Sequence, residues 1–187
     1  MPAELPKVNL RPKRLEDAEL DYQWQTDPEF ASLHAKEAVT LSFAQFQEEY
    51  AEVFKNRWPG RLHFAIETEQ GLCIGDCACH NIRHDEAEGE VGINIARREY
   101  WGKGYGAAAL SQFVEYIFSC TGLKKLKLRT LEGNLRAQRS FIRAGFRPAG
   151  VLEDGGHRFL RMELSREEWL KMTGHHDRMP ADSAEES

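Results

Sequence analysis

No run of apolar residues approaches the ~20 that a membrane-spanning helix needs, and Met1–Leu10 holds no apolar core of signal-peptide length. These absences argue against a membrane span and against secretion. A basic excess is also missing: 25 Lys and Arg face 30 Asp and Glu, for a formal charge of −5. The broad positive footprint of a generic nucleic-acid binder is therefore not there, although a local phosphate site needs only a few oriented N–H groups and one or two cations. Cysteine is scarce. Cys73, Cys77 and Cys79 fall at odd positions of one expected strand and should share a face; Cys120 stands apart. The Cys77-Ala78-Cys79 spacing is wrong for zinc and lacks a second ligand pair, so core or pocket-lining thiols are expected and no metal. Free thiols point to a reducing compartment, the cytoplasm. No internal repeat occurs.

What remains is an ordinary globular composition, 41% hydrophobic and 29% charged in 187 residues, enough for one domain with a real core. The domain is expected over residues 1–173, with a polar, disordered tail over 174–187. His175 and His176 read as tail residues.

Val8–Pro12 reads as a first strand. Asp17 opens a helix carrying Leu20 and Trp24, and Pro28 stops it. Ser42 and Gln45 form a capping box for the next helix, with Leu41 and Phe46 as its hydrophobic staple and Phe46, Tyr50 and Val53 as its apolar stripe to about Asn56. Trp58-Pro59-Gly60 marks a turn. Strands are expected over Leu62–Thr68, Leu72–Ile82 and Gly89–Ala96, the first two joined by Glu69-Gln70-Gly71. The period then changes. Leu110, Phe113, Val114 and Ile117 lie on one face of a helix from about Gly104 to Gly122. Lys125–Leu131 alternates as a strand, with Lys125, Lys127 and Arg129 on its polar side. Asn134 caps a helix ending at Gly145. Strands near Phe146–Leu152 and His157–Leu164 precede a helix over Ser165–Met172. The fold class is α/β (α+β): a mixed, mostly antiparallel sheet of about seven strands with helices on both faces.

Chemistry concentrates in the segment from Glu90 to Gly106. A strand leads into Trp101-Gly102-Lys103-Gly104-Tyr105-Gly106, and a helix starts there. Glycines let successive N–H groups turn inward with no Cβ in the way. The same groups are the unpaired donors of a helix N-terminus, whose dipole favours anions, so a loop of this kind binds phosphate. A nucleotide P-loop needs Ser or Thr after its Gly-Lys, but Gly104 follows Lys103. A dinucleotide fingerprint over Gly102, Gly104 and Ala107 needs an acid ~20 residues on, and Glu132 is too far. A coenzyme A pyrophosphate loop meets neither conflict.

With those residues in place, the sequence resembles the GNAT superfamily of N-acetyltransferases. Trp101, Gly104 and Gly106 occupy the slots of its Q/R-x-x-G-x-G/A loop. Asn134, Ala137, Arg143, Gly145 and Phe146 match its second motif, N-x-x-S/A…K/R-x-G-F. The resemblance spans roughly Leu10 to Leu164. The opening Leu10-Arg11-Pro12 with Glu16-Asp17, and the wording of the loop, look most like the branch that includes ribosomal-protein alanine acetyltransferases. The sequence departs from the pattern twice. Trp101 fills the Gln/Arg slot, losing a polar contact but keeping the backbone N–H groups. Phe141 fills the slot where many members carry a tyrosine general acid.

The resemblance implies acetyl-CoA as co-substrate and no metal. It implies an amine acceptor, either a small molecule or a protein N-terminus, attacked directly in a ternary complex; a homodimer is compatible with it. It also implies that Ile93 and Ile95 offer backbone groups to the pantetheine arm, although their side chains also suit a core. Gly102, Lys103, Gly104, Tyr105 and Gly106 would hold the phosphates, with Lys103 equally readable as an exposed loop lysine. Asn134 would reach the cofactor's arm, cap its helix, or both. Arg139 could reach the phosphates or sit in solvent. Glu90 occupies a slot where some members place a general base, and is also an ordinary strand-end glutamate. His80 is a second base candidate and equally a structural strand histidine. Asp17, Glu19, Asp21, Glu48, Glu49 and Glu52 on the first two helices either attract a cationic amine or form a solvated face. A non-catalytic module of the same family that senses CoA is the alternative function.

Overall fold

The computed structural model describes residues 4–55 and 62–174. The expected turn at Trp58-Pro59-Gly60 and the tail with His175 and His176 lie outside the described residues. The elements run β1 (Val8–Pro12), α1 (Ala18–Gln25), α2 (Pro28–Ser32), α3 (Phe43–Lys55), β2 (Leu62–Thr68), β3 (Cys73–Arg83), β4 (Glu88–Ile95), α4 (Tyr105–Cys120), β5 (Lys125–Leu131), α5 (Leu135–Arg143), β6 (Arg147–Asp154), β7 (His157–Ser165) and α6 (Arg166–Thr173). They build a seven-stranded sheet in the order β1-β2-β3-β4-β5-β7-β6. All neighbours are antiparallel except β4 and β5, which run parallel. Among the described residues no helix is long and apolar enough to cross a membrane.

One face of the sheet packs on α4. Leu110, Phe113, Val114, Ile117 and Phe118 are fully buried against Ile66, Ile74, Cys77, Cys79, Leu126, Met162 and Leu164. Each large apolar side chain of this layer contributes about 1.5–3 kcal/mol by leaving water. The 3.6-residue period of α4 therefore meets the 2-residue period of the strands in one continuous layer. The helix stops at Cys120 rather than on Gly122: Thr121 turns extended at φ −131° and its hydroxyl donates to the Ile117 carbonyl.

The opposite face carries α1 and α3, held by partly and fully buried polar contacts. Arg11 forks onto Asp17 and reaches Glu67, while Lys13 pairs with Asp21, which also accepts from the Tyr50 hydroxyl. A buried lysine must be paired, because an isolated charge there costs several kcal/mol. Asp17 and Asp21 thus brace the fold and form no solvated face; Glu52 is exposed and pairs with Lys55. In α3 the apolar stripe runs through Phe46, Tyr50 and Phe54, with ring centroids 5.7 and 5.1 Å apart, while Val53 points outward and is 55% exposed.

Two local features depart from expectation. Pro28 ends α1 but also begins α2, where Asp27 accepts from the Glu29 and Phe30 amides and proline fills the first helical position. In β3, Ile74 is an extra residue: Ile66 pairs with Gly75 and Glu67 with Cys73. That bulge inverts the alternation. Ile74, Cys77 and Cys79 enter the core, and Cys73 falls out of phase with them.

Candidate active site

The parallel ladder between β4 and β5 is short. It pairs Glu88 with Lys125, Gly89 with Leu126 and Glu90 with Lys127, then stops, although β4 continues to Ile95 and β5 to Leu131. Each strand keeps its other neighbour: β4 pairs with β3 as far as Ile95, and β5 with β7 as far as Leu131. The sheet therefore splits into two intact halves beyond Glu90, and a cleft opens between them. Ile93 and Asn94 line one lip, and Asn134, Ala137 and Phe141 line the other. The Asn94 carbonyl lies against Gly75 of β3, so strand alternation turns the Ile93 and Ile95 carbonyls towards the open edge.

At the end of β4 a single 3₁₀ turn, Arg98–Tyr100, leads into the glycine loop. The Trp101 amide closes that turn on the Arg98 carbonyl at 3.0 Å, so it is not among the inward donors. Its indole N–H donates to the Ile95 carbonyl at 2.6 Å. A Trp in the Gln/Arg slot thus makes a polar contact after all, directed to the strand. Gly102 and Gly104 adopt φ of +72° and +88°, conformations that a side chain makes costly. The first bond of α4 runs from the Ala108 amide to the Gly104 carbonyl, which leaves the Tyr105, Gly106 and Ala107 amides without helical partners, at the mouth of the cleft.

Gly104 has a different steric partner from the one its motif suggests. A Cβ there would sit 3.1 Å from Pro6 Cδ and 3.2 Å from Leu5 Cδ2, so the glycine accommodates the N-terminal segment. Gly106 packs beside Ser140 of α5 and Ile95, where a Cβ would be in ordinary contact. Lys103 is exposed and outside the cleft lining, whereas Arg139, also exposed, lines it. Asn134 caps α5 by accepting from the Ala137 amide at 3.2 Å and lines the cleft as well. Phe141 is 6% exposed, with its ring in the wall of the cleft.

The sheet face away from α4 forms a floor. Ala78 and Gly92 are cross-strand partners, and a Cβ on Gly92 would meet only the His80 ring, at 3.9 Å. On one side of this low ground His80 and Glu90 are partners, with His80 Nε2 3.9 Å from Glu90 Oε1. Asn81 donates to Glu90 Oε2 at 3.0 Å, and Arg129 Nε lies 3.8 Å from Oε1. On the other side His63 Nε2 and Asp76 Oδ2 are 2.7 Å apart, and Asn94 donates to Asp76 Oδ1 at 3.0 Å. Burial opposes ionisation of Asp76, but the His63 hydrogen bond and charge, Lys13 and the Asn94 amide outweigh it and hold the carboxyl below its usual range. The carboxylate borders a chamber under α1–α3 walled by Trp24, Phe30, His34 and Tyr50. This chamber adjoins the cleft, because Phe30 and His34 line both. Burial in this wall lowers the His34 pKa.

Three participants were not evident from sequence. α2 overhangs the cleft and is tied to the loop by Arg98, which pairs with Asp27 and Glu29 at 2.7 Å each. Its one sequence signal was Asp27-Pro28, a cap followed by a first-turn proline. His63 and Asp76 are brought together by the β2–β3 register; two polar residues on the outward face of a hairpin were the signal. Arg136 is the third, stacked on Trp101 with its guanidinium carbon 3.5 Å from the ring centroid. Among the described residues no group of three or more His, Cys, Asp or Glu is placed to hold a metal ion.

The sequence matches the acetyltransferase (GNAT) domain model over residues 7–147. It is 23% identical over 149 residues to an uncharacterized N-acetyltransferase, p20, of Bacillus licheniformis, covering 79% of this chain and 83% of that one. The fold is similar to spermidine N-acetyltransferase from Vibrio cholerae, solved with CoA and spermine. There the TM-score is 0.77 and the identity 21%, over 87% of this chain and 98% of that one. Aminoglycoside acetyltransferase AAC(6')-Ib, solved with coenzyme A, gives a TM-score of 0.75 at 19% identity, over 90% and 100% of the two chains. A family match over most of the chain, on a sheet split beside a glycine loop, leads to one conclusion: the chain belongs to the GNAT family and is an N-acetyltransferase that takes its acetyl group from acetyl-CoA.

Proposed function

We propose that acetyl-CoA occupies the split between β4 and β5, and that a primary amine attacks it from the chamber under α1–α3. The observation that carries this is the end of the parallel ladder at Glu90 and Lys127. It leaves the Ile93 main chain at an open edge, leading from the α4 N-terminus to the floor made by Ala78 and Gly92. The diphosphate meets the Gly102–Gly106 loop, Asn134 and Arg139, and the pantetheine arm runs along Ile93.

The amine arrives as an ammonium, and the Asp76 carboxylate favours its entry. It must lose a proton before its lone pair can attack the thioester carbonyl. Glu90, beside His80, takes that proton directly or through a water. The tetrahedral intermediate then collapses, the C–S bond breaks, and the coenzyme's sulfur leaves as a thiolate. Phe141 has no proton to give, so water protonates the sulfur. With a thiol pKa near ~8.5, the thiolate departs tolerably at neutral pH.

The acceptor is a cationic small-molecule amine. The acidic border of the chamber supports this, as does the similarity to enzymes solved with spermine and kanamycin. A panel of polyamines, aminoglycosides, amino acids and peptides with free N-termini, assayed for thiol release from acetyl-CoA, tests it. A polyamine or aminoglycoside should raise release by about tenfold or more over the acceptor-free rate, within the range expected of positioned acid–base chemistry. Stimulation by peptides alone would move the acceptor to a protein N-terminus, in keeping with the resemblance to ribosomal-protein alanine acetyltransferases. Tight acetyl-CoA binding with no stimulation by any acceptor would point instead to a sensor.

A further inference from the structure

Besides Arg98, which is paired with Asp27 and Glu29, Lys103, Arg136, Arg139 and Arg143 stand near the glycine loop, and they differ in burial. Lys103, Arg139 and Arg143 are exposed, whereas Arg136 is half-buried. Its guanidinium lies 3.5 Å from the centre of the Trp101 ring. That ring is itself fixed by the indole hydrogen bond to Ile95 at 2.6 Å. Among the described residues no carboxylate comes within ion-pair distance of Arg136. Burial lowers its pKa, partly offset by the more distant charge of Glu29, yet an arginine stays protonated at neutral pH. Arg136 is thus a partly desolvated cation with an aromatic platform and no counter-ion among those residues. It lines the same cleft as Gly102, Gly104 and the first-turn amides of α4, which have no helical partners.

We propose that Arg136, held flat by Trp101, is the cation that binds the diphosphate of CoA. This rests on the reading of the cleft as the CoA site. The loop's tryptophan and the helix's arginine act as one unit. The indole anchors to β4 and sets the plane, and the guanidinium brings two or more N–H donors in a fixed fork to the phosphate oxygens. A ring-stacked arginine loses little side-chain freedom when the anion arrives, which is why this residue should contribute more than exposed Lys103 or Arg139. Trp101 is a positioning residue, because its own polar atom already serves the strand.

The test is calorimetric titration of the full chain and its variants with three ligands: CoA, dephospho-CoA, which lacks the 3′-phosphate, and pantetheine, which lacks every phosphate. Circular dichroism confirms that each variant is folded. Arg136→Ala should weaken CoA and dephospho-CoA alike, by about 10- to 100-fold, as expected for a charge-assisted bond, and leave pantetheine unchanged. Trp101→Ala should lose a similar factor, and the double variant little more than either single one, because the two residues serve one contact. Arg136→Lys should recover only part of the loss. Wild-type affinity in Arg136→Ala would overturn the assignment. So would an equal loss for pantetheine, which would mark a merely structural role, or a loss confined to CoA, which would move the contact to the 3′-phosphate. A wild-type protein that binds no CoA would instead overturn the reading of the cleft itself.

Discussion

Glu90 and His80 meet across two strands, with Oε1 of one 3.9 Å from Nε2 of the other, at the point where the sheet begins to split. In the proposed mechanism Glu90 is the better placed of the two to take the proton, because it stands on the strand that borders the open edge. Glu90→Gln keeps the shape and the Asn81 contact but cannot accept a proton. Its kcat should fall ~10²-fold at neutral pH and recover as rising pH deprotonates the amine in solution. A pH–rate profile that overlays the wild type would assign the proton to another group. The sequence placed Glu90 and His80 on consecutive strands; that they face one another came from the register of β3 on β4. The His63–Asp76 pair and the Arg136–Trp101 stack were not legible. Each depends on two side chains from different elements meeting at a particular angle, which no spacing along the chain encodes.

At the scale of elements, legibility followed the strength of the local signal. α4 announced itself by its repeated apolar period and α5 by Asn134, which accepts the expected capping bond; α6 starts one residue later than expected, because Ser165 caps it by accepting from the Glu168 amide. α2 spans five residues, too few for a period to register, although it shapes the cleft. The β3 bulge was hidden because alternation assumes that no residue is added to one strand; Cys73 shows the consequence. The glycine loop was legible as a turn into a helix N-terminus, but the role of each glycine was not. Gly104→Ala would strain a left-handed backbone by about 1–2 kcal/mol and press on Leu5 and Pro6. Gly102→Ala would bear the strain alone, since nothing lies within 4 Å of its Cβ position. Gly106→Ala lies in a helix, where its Cβ would be in ordinary contact with Ser140 and Ile95. Loss of thermal stability should therefore rank Gly104→Ala above Gly102→Ala above Gly106→Ala, with Tm falling by about 2–4 °C per kcal/mol for a chain of this size. A Gly106→Ala variant less stable than Gly104→Ala would contradict the placement of Leu5 and Pro6.

Across the whole molecule the sheet does two jobs with one break in its pairing. β1–β4 and β5–β7 are each held by their own ladders, and α1–α3 roof one end of the cleft between them while the glycine loop closes the other. Under the proposed function the acetyl donor and the amine lie side by side there, and no acetylated intermediate on the protein is needed. Cys77 and Cys79 are buried in the core, and burial raises both thiols' pKa values, that of Cys79 to about 12, which leaves them poor nucleophiles. Initial rates measured over a grid of acetyl-CoA and acceptor concentrations, with intact mass of the protein recorded after exposure to acetyl-CoA alone, test this directly. Direct attack in one cleft predicts intersecting double-reciprocal lines and an unmodified protein mass. Parallel lines together with a protein heavier by one acetyl group would show a covalent relay and contradict the account.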